Sequence, residues 1–146
     1  MITVTVPATS ANVGAGFDSL GLAVSMYNVF TFEEADRIQI TSVDGTHIPT
    51  GSNNLVYRSA RVVYDQLGIP MKGLRITQKN TIPMARGLGS SSACIVAGIL
   101  GANALLGNLM GAANATLIPQ KLVEGGMERS AAISEFGVVC GMTMPM

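Results

Sequence analysis

Pro83-Met84-Ala85-Arg86-Gly87-Leu88-Gly89-Ser90-Ser91-Ser92-Ala93 is the stretch from which the rest of this chain is best understood. A Gly-x-Gly turn lets backbone come close to a ligand. Three serines then fall on the first turn of an apolar helix expected over 90–106, which Gly107 stops. A helix start carries free N–H groups and the positive end of the helix dipole, and both favour an anion. Serine hydroxyls donate to phosphate oxygens or coordinate Mg2+, so a triphosphate fits the run. The bland alternative is a serine N-cap on a buried helix behind a glycine turn. No lysine follows the glycines, so this is not a Walker P-loop. The glycine spacing and the lack of a surrounding βαβ unit exclude a Rossmann fingerprint.

Composition narrows the setting. The chain has 146 residues, nine Lys+Arg against nine Asp+Glu, and only 12% charged residues. A typical soluble domain carries roughly 25%. With 48% hydrophobic residues, the chain is expected to build a core rather than remain disordered. A balanced charge gives no general grip on nucleic acid, which needs a basic surplus. Two cysteines without a CxxC, and no cationic N-terminal start before an apolar run, point to a reducing cytoplasm. His47 is the only histidine, which argues against His-based metal sites and Ser-His-Asp chemistry. Residues 87–120 carry no charge, and 93–110 are apolar enough to suggest a membrane span. Asn103, Asn108, the Gly/Ala content and the lack of flanking cations favour a buried helix instead.

Around the serine run the pattern is mixed. Ile2, Val4 and Val6 alternate with Thr3 and Thr5 as a half-buried strand. Residues 7–18 read as a polar loop, 20–32 and 37–42 as strands, and Asp44-Gly45 as a turn. Val56, Ala60, Val63 and Leu67 stand at helical spacing behind cap-forming Gly51-Ser52-Asn53-Asn54, with Gly68 and Pro70 as stops. Residues 74–78 form a short strand and 82–89 a loop. Beyond Asn108, short helices over 117–124 and 128–135 and a strand over 138–142 are the expectation. The pattern gives an α/β or α+β domain with the strand-rich half first. Phe30, Phe32 and the Met-rich tail suit either core packing or pairing with another copy as a homo-oligomer.

The serine run resembles the ATP-binding motif of the GHMP kinases, which include galactokinases, homoserine kinases and mevalonate kinases. Pro7-Ala8-Thr9-Ser10-Ala11-Asn12-Val13-Gly14-Ala15-Gly16-Phe17-Asp18 is similar to the homoserine kinase branch. Asn53-Asn54-Leu55-Val56-Tyr57-Arg58 looks like the segment near the nucleotide base. The resemblance implies a mixed or antiparallel sheet packed on helices. It implies ATP-dependent phosphorylation of the L-homoserine hydroxyl to O-phospho-L-homoserine, in threonine biosynthesis, with ATP and Mg2+. The nucleotide would be held by Asn54, Pro83, Arg86, Gly87, Leu88, Gly89, Ser90, Ser91, Ser92 and Ala93. Asn12 and Asp18 would hold homoserine, Asp18 facing its ammonium. Ser91 and Glu124 would be Mg2+ ligands. Taken as plain residues, Asp18 also suits a turn or cap, Arg86 a solvated loop and Glu124 an exposed helix position.

The resemblance covers residues 1–108 and leaves 109–146 as a divergent segment. The family's Glu-Gly-His-Pro-Asp-Asn pattern is reduced here to Glu124-Gly125. Family members also have a second, C-terminal domain, which this chain is expected to lack, with impaired turnover as the consequence. The rival readings are another GHMP kinase acting on a different alcohol, and a non-catalytic nucleotide-binding or interaction remnant.

Overall fold

Alternation and capping decide most of the elements. A computed structural model describes residues 1–10, 22–82 and 90–110. Strand β1 spans Ile2–Ser10, β2 Leu22–Glu34 and β3 Gln39–Ser42; helix α1 spans Leu55–Leu67, β4 Leu74–Asn80 and α2 Ser90–Leu105. The four strands form one mixed sheet in the order β1-β2-β4-β3. β2 is antiparallel to both β1 and β4, whereas β3 runs parallel to β4. The α+β class is therefore as expected. The expected helices and strands across 117–142, and the segment 109–146 apart from its first two residues, lie outside the described residues.

One face of the sheet makes the core. Val4, Val6, Phe30, Phe32, Leu74, Ile76 and Ile40 alternate onto it and are buried against α1 and α2. Phe30 and Phe32 are 0% exposed, so they pack this core and are not on offer to another copy. The other face carries Thr3, Thr31, Glu33, Arg75 and Lys79, and Glu33 pairs with Arg75 across it at 3.1 Å. One face dry and one wet is the usual economy of an antiparallel-rich sheet.

Several boundaries differ from expectation: β2 runs on to Glu34 rather than ending at 32, and β3 begins at Gln39 rather than 37. Residues 7–10 are strand, not loop. Proline lacks an N–H and is tolerated on an edge strand or at a bulge, and β1, at the edge among the described strands, shifts register between Pro7 and Ala8. β4 also runs two residues further than expected, through Asn80.

The helices end where capping chemistry ends them. The Asn54 side chain caps α1, and Gly68, at φ +67°, closes it in the left-handed conformation. α2 packs against α1 on one side and against β1 and β2 on another, which is why it is apolar around most of its circumference. A Cβ on Gly98 would lie 2.7 Å from Ser59 Cβ and press on the Val56 carbonyl, so α1 and α2 cross almost in backbone contact. A Cβ on Gly101 would sit 2.5 Å from Phe32 Cδ2 and closer still to Cε2 of the same ring. Among the described residues no helix is long and apolar enough to cross a membrane.

Candidate functional site

Strand directions bring the sequence motifs to one end of the sheet. β1 ends at Ser10 opposite Leu22, where β2 begins, so residues 11–21 leave and return at that end. β4 pairs Asn80 with Asn28 and Leu74 with Glu34, so it finishes at the same end and passes into residues 83–89. β3, parallel to β4, finishes there too and leads to Asn54. α1 starts at this end, because Asn54 Nδ2 donates to Gln78 Oε1 on β4 at 2.8 Å. α2 reaches the level of α1's first turns only at Gly98. At 1.5 Å per residue, its start at Ser90 projects about 12 Å further toward the loops.

The expected site residues separate accordingly. Ser90, Ser91 and Ser92 form the first turn of α2, as the serine run suggested, and Ala93 is buried behind them. Asn12, Asp18, Pro83, Arg86, Gly87, Leu88, Gly89 and Glu124 lie outside the described residues. Asn54 is different in kind. It is 2% exposed, its Oδ1 accepts from the Val56 and Tyr57 N–H groups, and its Nδ2 donates to the Pro49 carbonyl and to Gln78. Both amide hydrogens are engaged within the fold, so this side chain holds the start of α1.

Further residues at this end escaped the sequence reading. Asn28 is fully buried, and its Oδ1 accepts the Ile82 N–H at 2.9 Å. Its Nδ2 donates to Asn80 Oδ1 at 3.3 Å. Gln78, also buried, donates to the same oxygen at 3.5 Å. Among the described residues, Asn80 Nδ2 is buried without a hydrogen-bond partner. Alternation would have revealed them, since Asn28 is in phase with Phe30 and Phe32, and Gln78 and Asn80 with Leu74 and Ile76. Asp44 accepts from Ser42 Oγ, the Thr46 N–H and the Asn80 N–H. The Thr46 bonds do most to hold its carboxyl far below the usual range, with Ser42 and Asn80 adding to them.

On α2, burial pushes the Cys94 thiol up to about 12. That removes it as a nucleophile at neutral pH. Among the described residues no three His, Cys, Asp or Glu side chains gather as metal ligands.

Residues 54–138 match the GHMP kinases N terminal domain. The chain is 51% identical over 111 residues to the homoserine kinase of Petrotoga mobilis, covering 74% of this chain and 36% of that protein. It is 43% identical over 141 residues to the homoserine kinase of Caldicellulosiruptor saccharolyticus, covering 95% and 46%. The crystal structure of homoserine kinase from Cytophaga hutchinsonii superposes with a TM-score of 0.73 at 28% identity, over 97% of this chain and 50% of that one. The chain thus spans half or less of the length of these relatives. With the family's domain matched over more than half its residues, and the strand order carrying the motifs to one end, the chain belongs to the GHMP kinases and carries their N-terminal domain.

Proposed function

We propose that this chain forms the nucleotide- and substrate-binding half of a homoserine kinase, which moves the γ-phosphoryl of ATP to the side-chain hydroxyl of L-homoserine in the cytoplasm. The observation that carries the reading is topological: Ser10 and Leu22, which flank residues 11–21, Asn54, and Asn80, which closes β4 shortly before residues 83–89, all lie toward one end of the sheet. The relatives at 43% and 51% identity are homoserine kinases, which supports the choice of alcohol.

The two helix starts at this end are not equivalent. Asn54 takes up the Val56 and Tyr57 N–H groups, so α1 is closed by its own cap. We therefore give the phosphates to α2, with Gly87 to Ser92 wrapping them and the helix dipole opposing their charge. Pro83, Arg86, Leu88 and Ala93 complete that segment. Asn12 and Asp18 are assigned to homoserine, Asp18 to its ammonium. Mg2+ would neutralise charge building on the phosphoryl oxygens, and Ser91 and Glu124 are its proposed ligands. Phosphoryl transfer rests chiefly on positioning and electrostatics, so no strong base is required of these residues.

Nucleotide binding is the primary test. Titration calorimetry of the 146-residue chain should show MgATP binding, and Gly89→Val should abolish it by filling phosphate space with a side chain. Unchanged affinity in that variant would place the phosphates elsewhere. ADP release measured with homoserine, mevalonate and galactose in parallel tests the substrate, with homoserine expected to be preferred.

A further inference from the structure

The polar residues on the core face of the sheet converge on the point where β4 gives way to the serine run. Asn80, Thr81 and Ile82 lead out of β4, and each is tied to a different neighbour. The Asn80 N–H donates to Asp44 Oδ2 at 2.8 Å. The Thr81 hydroxyl donates to the Tyr27 carbonyl. The Ile82 N–H donates to Asn28 Oδ1 at 2.9 Å. The Ile82 side chain is itself buried, and the proline after it restricts Ile82 to extended backbone. Few degrees of freedom remain at the last residue before the motif.

Asn28 also opens a chain of side-chain amides. Its Nδ2 reaches Asn80 Oδ1, which receives Gln78 Nε2 as well, and Gln78 Oε1 receives Asn54 Nδ2. Asn54 in turn sets the start of α1. The chain therefore runs from β2 through β4 to the helix that follows residues 51–53. A leucine at position 28, in phase with Phe30 and Phe32, would serve a core better, because a buried amide must recover its desolvation through hydrogen bonds. What an amide network supplies instead is a single allowed arrangement of the groups it joins.

We propose that Asn28 is a positioning residue for nucleotide binding: through the Asn28–Asn80–Gln78–Asn54 chain it fixes where the serine run leaves β4 relative to the start of α1. The proposal rests on the nucleotide reading above, and its test separates the two. Asn28→Leu is compared with Asn103→Leu in the full chain. Asn103 is also buried and also makes two hydrogen bonds, to the Met110 carbonyl and N–H at 2.9 and 3.0 Å, but it lies toward the far end of α2. Both variants lose a buried amide; only Asn28 is bonded to the residue that precedes the motif. A third variant, Asn28→Asp, keeps an acceptor for the Ile82 N–H, and Asn80 Nδ2, which has no partner among the described residues, can turn toward it at the expense of the 3.5 Å bond from Gln78.

Two quantities are measured well below the unfolding transition of every variant: NMR hydrogen exchange at the Ile82 amide and MgATP affinity. In Asn28→Leu, exchange at Ile82 should accelerate at least about tenfold and MgATP affinity fall at least about tenfold, as expected for a lost buried hydrogen bond. Asn103→Leu should leave both within about twofold, and Asn28→Asp should restore most of both. Wild-type protection of Ile82 in Asn28→Leu would refute the anchoring, and equal affinity losses in the two leucine variants would refute the positioning role. A wild-type chain that does not bind MgATP would sink the nucleotide reading and the positioning role with it, while exchange at Ile82 still judges the anchor by itself.

Discussion

Replacing Gly98 by alanine sets two known effects against each other. In a helix interior, alanine is favoured over glycine by about 1 kcal/mol. Against that, the new Cβ would stand 2.7 Å from Ser59 Cβ, 3.1 Å from the Ala60 nitrogen and closer still to the Val56 carbonyl oxygen. Ordinary contact begins at 3.4 Å. Two of these three neighbours are helix backbone, which cannot rotate aside, so α1 and α2 must move apart. Overpacking of this kind costs about 1–3 kcal/mol, and rigid neighbours put Gly98 at the upper end. The net expectation is a loss of about 1–2 kcal/mol, or roughly 3–8 °C in Tm. Gly51→Ala is the matched control. Its nearest neighbour is Asn53 Oδ1 at 3.6 Å, so it should be neutral or stabilise by about 0.4–1 kcal/mol. Urea and thermal unfolding of both variants decide the matter. If Gly98→Ala gains stability as Gly51→Ala does, the helices do not cross in backbone contact and the assigned packing is wrong.

Two further outcomes follow from the titrating groups. Asp44 has a depressed folded value, so its ionised form stabilises the fold fully above the ordinary 3.8, and that contribution drains as pH falls below it; the stability gap between wild type and Asp44→Asn should therefore be widest at neutral pH and narrow below 3.8, and a gap independent of pH would mean the bonds to Ser42, Thr46 and Asn80 do not depend on the charge. Cys94, whose folded value is raised, should resist a thiol reagent in the native Cys140→Ser chain at neutral pH and react on unfolding, and stability should fall as pH rises above the ordinary thiol value of 9.0; rapid native labelling would show that the α2 thiol is not buried.

Much of this fold was legible in the sequence wherever one local signal was enough. Alternation marked β1 and β4, and helical spacing between Asn54 and Gly68 marked α1 almost to the residue. Pro7 misled, because a proline reads as a break unless the strand is known to lie at an edge. Gly98 and Gly101 read as weak helix positions, since their purpose lies in Ser59 and Phe32, far away in sequence. The all-round apolar character of α2 resembled a membrane span for the same reason: only the packing shows that α1 covers one side and the sheet another. Asn28 was in plain phase with Phe30 and Phe32, but nothing in the chain order says that it meets Asn80.

That meeting depends on strand order, and strand order also accounts for the site. Had β2 paired with β3, the nearest strand in sequence, the chain entering the serine run would have left the sheet away from residues 11–21. Instead β4 inserts between β2 and β3. β2 then has β1 on one side and β4 on the other, so the strand that follows the first motif lies beside the strand that precedes the second. Because β2 is antiparallel to both neighbours, both of them finish toward its start: Ser10, the last residue of β1, pairs with Leu22, and Asn80, the last of β4, pairs with Asn28. The two motifs, about 70 residues apart in sequence, are thereby reached from the same end of the sheet, with β2 starting six residues before its pair with Asn80. Asn28 sits on the strand that joins them, level with Val6 of β1 on one side and with Asn80 of β4 on the other.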